Sequence, residues 1–156
     1  MRDQSVPVAQ VGPISAVDAR LWGKHRELPG PYPLVCHLVD TAAMAGALFD
    51  AWYPVPRADR LADSLGVPSG AVRALVMFWA GLHDIGKATP PFQVKVPELY
   101  TELTADPGFA TARLTEEERR FGHDAATLWV LAEMLPRLGY PAGQDELAHV
   151  VALSTF

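Results

Sequence analysis

The stretch Gly81 to Gln93, GLHDIGKATPPFQ, gathers a histidine, an aspartate and a lysine where an apolar run gives way to turn-forming residues. His83 and Asp84 are adjacent, so an imidazole nitrogen and a carboxylate oxygen can point at one centre from a helix end. A mixed nitrogen and oxygen set suits divalent transition metals. Calcium takes oxygens alone, and structural zinc favours thiolates. The bland alternative is a helix-terminal histidine favoured by the dipole, followed by an aspartate in a turn. Gly86 and Lys87 weigh against it. The glycine permits close approach of backbone to a ligand, and the lysine sets a fixed cation about one turn away, where a phosphate oxygen would sit. A metal with a lysine beside it is what phosphoryl chemistry calls for, because the charge developing on the phosphorus oxygens must be met.

Further ligands must come from other elements. Of the 5 histidines, each taken alone is more often a packed or solvated side chain than a ligand. His37 borders the apolar face of a helix, with Asp40 and Thr41 one turn on, and can look into a bundle interior. His123, in RFGHDAA, opens a later helix behind a glycine. Three histidines and one aspartate at the margins of three helices make a site of the kind that helical bundles build in their cores.

The elements that must position these groups read as all-α. Leu34, Val35, Leu38, Ala42, Ala45, Leu48, Phe49 and Trp52 recur every three to four positions and predict a helix over 34–52. A shorter helix over 57–65 stops at Gly66 and Pro68; Pro68-Ser69 then opens another, whose Val72, Leu75, Val76, Trp79 and Leu82 lead into His83-Asp84. Residues 97–109 read as a polar surface loop with one helical turn. Thr115 and Glu118 have capping-box spacing, and the helix they open is expected to continue through Gly122 to Leu138, with Leu128, Leu131 and Leu135 on one face. A last helix begins near Gln144 or Asp145 and carries Leu147, Val150, Val151 and Leu153. Its pattern is still running at Phe156, so the sequence reads as a fragment cut inside its own fold.

Composition bounds the possibilities. A chain of 156 residues with 49% apolar and 20% charged side chains is about one folded domain, here 1–156, and not a disordered tail. Its single cysteine, Cys36, forms no internal disulfide and is expected to be a small buried hydrophobe. The N-terminus lacks a signal-peptide core, and no run approaches the roughly 18 apolar residues of a membrane span, so a cytoplasmic protein with no membrane role is expected. The net charge of −5 means that any nucleic acid must be attracted by a local site or delivered by a partner. Trp22, Trp52, Trp79 and Trp129 are expected as core or partial-core anchors, and Phe92 and Gln93 as residues that position the loop after the site or contact a strand.

The segments LWGKHRELPGPYPLVCHLVDTAAMA, AGLHDIGKATPPFQ and RFGHDAA together resemble the HD nuclease domain of the CRISPR-associated nuclease-helicase of type I systems, within the HD superfamily of metal-dependent phosphohydrolases. The resemblance implies that His37, His83 and Asp84 hold one metal, that Asp84 bridges to a second begun by His123, and that Lys87 touches the scissile phosphate. It implies cutting of single-stranded DNA with manganese, nickel, cobalt or iron, in antiviral interference, alongside a helicase region or subunit and an RNA-guided surveillance complex. A His-His pair and a later aspartate complete the family's ligand set. The chain stops before them, and His149, one turn too early, is a possible substitute. Partial metal occupancy is therefore expected. An HD phosphohydrolase acting on nucleotides shares the same four ligands, and a non-catalytic docking module would keep the histidines as core polar residues.

Overall fold

The computed structural model describes residues 18–107, 109 and 114–138. His149 and the last expected helix lie outside these residues.

A short antiparallel ribbon comes first, β1 (Trp22–Lys24) paired with β2 (Tyr32–Pro33). The Pro- and Gly-rich breaker between them is the return of this ribbon. Seven α-helices follow among the described residues: α1 (Leu34–Trp52), α2 (Val55–Leu65), α3 (Val72–Leu82), α4 (Pro90–Gln93), α5 (Pro97–Thr104), α6 (Glu116–Arg119) and α7 (His123–Met134). The all-α expectation holds, and α1 has the expected bounds. α2 ends on Gly66, whose φ of 64° places it in the left-handed region that glycine enters without a Cβ penalty.

Two stretches differ from expectation. Residues 97–104 form α5 and not a loop: Pro97 is pre-set for a first helical turn, Glu98 sits in that turn, and Leu103 is buried at 2% exposure. The segment from Thr115 to Leu138 is broken. The capping box is present, with the Glu118 N–H on the Thr115 hydroxyl and the Glu118 carboxylate accepting the Thr115 N–H, but α6 stops after one turn. Gly122, in extended conformation, then caps a separate helix, α7.

The packing that matters for the site is that of α1 on α3 and of α7 on a 3₁₀ turn, Ile85–Ala88, that follows α3. Arg73 on α3 makes a two-pronged ion pair with Asp50 on α1, both contacts 2.7 Å. Leu131 and Leu135 of the α7 segment are buried against Phe78, Trp79, Leu82 and Ile85. Each such leucine contributes about 1.5–3 kcal/mol, so α3 and α7 are clamped on either side of His83-Asp84.

By length and composition α1 is apolar enough to cross a membrane, which the run of residue types did not suggest. It lies on α3 and delivers the buried His37 to Asp84. Other expectations need correction. Cys36 is exposed, on the solvent side of α1, and Trp52 and Trp129 are exposed at 79% and 72%. Of the tryptophans, Trp22 is a core anchor, packed on Phe92 with ring centroids 4.4 Å apart.

Candidate metal centre

α3 ends at Leu82 and the backbone turns through His83 and Asp84 into the 3₁₀ turn. This carries Asp84 inward, where it is 8% exposed and meets four nitrogen groups. Its Oδ2 lies 2.9 Å from His37 Nε2, 3.0 Å from His83 Nε2 and 2.6 Å from Lys87 Nζ. Its Oδ1 lies 3.2 Å from His123 Nε2. The structure thus gathers His37, His83, Asp84, Lys87 and His123 from α1, the end of α3, the 3₁₀ turn and the start of α7. Burial pushes the Asp84 carboxyl up, but hydrogen bonds from Lys87 and His37 and the charges of Lys87 and His83 outweigh it and hold the group below the usual carboxylate range.

The donors fit a divalent metal. His37, His83 and Asp84 each offer one ligand atom, all within 4.8 Å of one another. His83 adds a sharper test. Its Nδ1 is 2.8 Å from the carbonyl oxygen of Ala80, which can only accept, so Nδ1 carries a proton. In the neutral ring Nε2 then presents a lone pair to a carboxylate oxygen 3.0 Å away. Such a contact calls for a positive charge shared between the two atoms, either a proton on Nε2 or a metal ion, and fixing one ring nitrogen on a carbonyl is how metal-binding histidines are commonly oriented. The set has imidazole and carboxylate but no thiolate, the mixture that suits transition metals. The side chains of His83 and His123 are 38% and 39% exposed while those of His37, Asp84 and Lys87 are 11%, so the centre is closed behind and open on the His83–His123 side.

What braces this geometry was not evident from residue types. Thr127, buried in α7, accepts the Gly86 N–H at 3.0 Å, and its hydroxyl is within donating distance of the His83 and His123 carbonyls, at 3.1 and 2.9 Å. Gln93, also buried, donates to the Lys87 carbonyl at 2.6 Å and the Trp22 carbonyl at 3.0 Å, and accepts the Trp22 N–H at 3.2 Å. It therefore positions the loop after the site and ties that loop to β1. Gly86 makes room, though for protein and not for a ligand: a Cβ there would lie 2.2 Å from both the His123 oxygen and the Thr127 nitrogen. Asp40 is drawn away from the centre by a hydrogen bond from the Tyr32 hydroxyl.

Comparison with known proteins gives a consistent result. The profile of the family described as "Cas3, HD domain" matches residues 22–154. The chain is 42% identical over 74 residues to the "CRISPR-associated endonuclease/helicase Cas3" of Thermus thermophilus, covering 47% of this chain and 8% of that protein. It is 38% identical over 66 residues to the "CRISPR-associated nuclease/helicase Cas3" of Streptococcus thermophilus, covering 40% and 7%. The crystal structure of T. fusca Cas3 superposes with a TM-score of 0.72 at 38% identity, over 86% of this chain and 15% of that one. A chain of a CRISPR RNA-guided surveillance complex in a pre-nicking state gives 0.69 at 36% identity, over 86% and 16%. The matched region is less than a tenth of either curated relative's length.

Proposed function

The chain belongs to the Cas3 HD-domain family, and on that premise we propose that it is a metal-dependent nuclease domain that cuts single-stranded DNA during CRISPR interference. The observation that carries this reading is the division of one carboxylate: Asp84 turns Oδ2 to His37 and His83 and Oδ1 to His123. A carboxylate shared in this way suits a bridge between two metals. His37, His83 and Oδ2 would hold the first, and Oδ1 with His123 would begin the second. The first site has two imidazoles and the second, among the described residues, one, so the second binds more weakly. Manganese, nickel, cobalt or iron suits these donors.

When bound, the metals supply Lewis-acid stabilisation of the charge that develops on the phosphodiester. The residues do the rest. The Ala80 carbonyl fixes the tautomer of His83, the Thr127 hydroxyl lies within donating distance of the carbonyls of His83 and His123, and the half-buried Lys87 brings a cation to meet phosphate charge. The open His83–His123 side gives the strand access. The reaction takes place in the cytoplasm, with a helicase region or subunit and an RNA-guided surveillance complex delivering the strand to a domain whose net charge of −5 attracts little nucleic acid on its own.

The test is metal analysis and hydrolysis on the purified chain. Wild type should retain transition metal and cut single-stranded oligonucleotides in preference to duplex DNA or nucleoside triphosphates, and His83→Ala should lose both metal and cutting by about 100-fold or more. Metal content that His83→Ala leaves unchanged, or hydrolysis of nucleotides without cutting of DNA, overturns the reading.

A further inference from the structure

The chain has only three lysines, Lys24, Lys87 and Lys95, and the fold brings all of them to one side. Lys87 is in the metal centre. Lys24 ends β1, Lys95 follows α4, and both line an open groove of about 510 Å³. Lys24, His25 and Arg26 line it together with Lys95, Glu98 and the buried Trp22. Lys24, Arg26 and Lys95 are exposed and take no part in the ion pairs among the described residues, whereas Arg20 and Arg73 are each held by aspartates. Glu98 offsets one of the three positive charges. A cluster of unpaired cations in an acidic chain is a local field of the sign that a phosphate backbone requires.

The groove is continuous with the centre through one ring. Phe92 packs on Trp22 with centroids 4.4 Å apart, its ring is 5.5 Å from that of His123, and Lys87 Nζ and Lys95 Nζ lie 5.4 and 4.9 Å from its centroid. Two lysines thus share one aromatic ring, one belonging to the metal centre and the other to the groove.

We propose that this groove seats backbone phosphates of a single nucleic-acid strand next to the scissile one, with Lys24, Arg26 and Lys95 holding them by charge and without reading bases. Trp22 is too buried to stack on a base, which makes the contact independent of sequence. The inference rests on the nuclease reading for its purpose, since it adds a positioning surface to that reaction.

The experiment compares the full chain with the triple variant Lys24→Gln, Arg26→Gln, Lys95→Gln and with a control on α2, Arg57→Gln, Arg60→Gln. Binding of a fluorescent single-stranded oligonucleotide is followed by anisotropy in EDTA over a salt series. The triple variant should bind about tenfold or more weakly, and the slope of log Kd against log salt should fall by about 2, as expected for three lost contacts to a single strand. The control should match wild type. Hydrolysis of bis(p-nitrophenyl) phosphate by the metal-loaded protein, a substrate that needs only the centre, should be unchanged in the triple variant, while KM for an oligonucleotide rises and kcat is kept. Equal binding and equal slope in wild type and triple variant, or an equal loss in the control, overturns the groove. Failure of wild type to hydrolyse the small diester or the oligonucleotide tells instead against the nuclease reading, and the anisotropy comparison still decides the groove.

Discussion

Gly86→Ala is a small change with a large expected consequence, because what it meets is backbone. An added Cβ would lie 2.2 Å from the His123 carbonyl oxygen, 2.2 Å from the Thr127 nitrogen and 2.7 Å from the Ala126 carbonyl carbon, where ordinary contact begins at 3.4 Å. No rotamer change relieves this. The first turn of α7 must retreat from the 3₁₀ turn by about an ångström, which stretches the 3.0 Å bond from Gly86 N–H to Thr127 and takes His123 away from Asp84 Oδ1. Overpacking of this kind costs about 1–3 kcal/mol, and weakening a buried hydrogen bond adds about 1 kcal/mol. Alanine also restricts the unfolded chain, a gain of about 0.4–1 kcal/mol, which is too small to reverse the sign. A net loss of about 2–3 kcal/mol is expected, on the order of 10 °C in Tm for a domain of this size. Urea titration of the metal-free protein measures the first effect, and calorimetric metal titration measures the second. The weaker metal event, the one that depends on His123, should disappear before the stronger one. A variant whose stability lies within about 0.5 kcal/mol of wild type, and whose metal titration is unchanged, refutes the claim that α7 is seated on the 3₁₀ turn through this glycine.

Three further outcomes follow from the same geometry. Thr127→Val keeps the shape of the side chain but leaves the buried Gly86 N–H without an acceptor, so chemical denaturation should show a loss of about 1–3 kcal/mol; a loss below about 0.5 kcal/mol would remove Thr127 from the account. Lys87→Met removes the ammonium 2.6 Å from Asp84 Oδ2, and in EDTA it should cost about 1–3 kcal/mol, less than a bare buried pair because the histidines remain. Its oligonucleotide cutting with saturating metal should fall about 100-fold while metal content holds, and undiminished cutting would show that Lys87 meets no phosphate. The Glu118 carboxyl is held below the usual range, first by the Thr115 N–H and then by the Thr115 hydroxyl. Its folded pKa is therefore the lower one, so the cap's contribution is present above about pH 4.3 and is lost as pH falls through the folded value. NMR titration of the Glu118 carboxyl should find a midpoint below that of a free glutamate, moving back toward it in Thr115→Ala; an ordinary midpoint in wild type contradicts the capping box.

The parts of the fold legible in the sequence were those with one strong signal. α1 has an apolar repeat bounded on both sides by prolines, and its limits at Leu34 and Trp52 follow directly. α5 has the start signals, Pro97 and Glu98, but its apolar residues are few and its turns are filled by Thr101, Glu102 and Thr104, so polarity hid the helix. The break between α6 and α7 was hidden in the opposite way. EEERR and HDAATLW are both good helix formers, and only Phe121 and Gly122 separate them. A glycine inside such a run weakens a helix without saying whether it ends it. Trp52 and Trp129 show the limit of reasoning from residue type: large aromatics are usually half buried, but the fraction is set by which face the neighbouring element covers.

The site divides along the same line, and for a physical reason. Metal-competent groups belong to a few residue types, so His37, His83, Asp84 and His123 could be found one by one and their meeting at a single carboxylate anticipated. The groups that hold them act through the main chain, and main-chain atoms carry no signature of residue type. Asp84 is flanked by braced carbonyls, with Thr127 on that of His83 and Gln93 on that of Lys87. Each brace comes from a different helix, and a threonine in α7 or a glutamine in α4 looks in sequence like any other polar residue at a helix margin. Gly86 is the instructive case. Its lack of a side chain signals close approach, but a glycine reports that something comes near and not what, and the expected ligand is not what fills the space. Here it is the backbone of α7, and the consequence for chemistry is indirect and strong: the helix that brings His123 to Asp84 Oδ1 can reach it only because residue 86 has no Cβ.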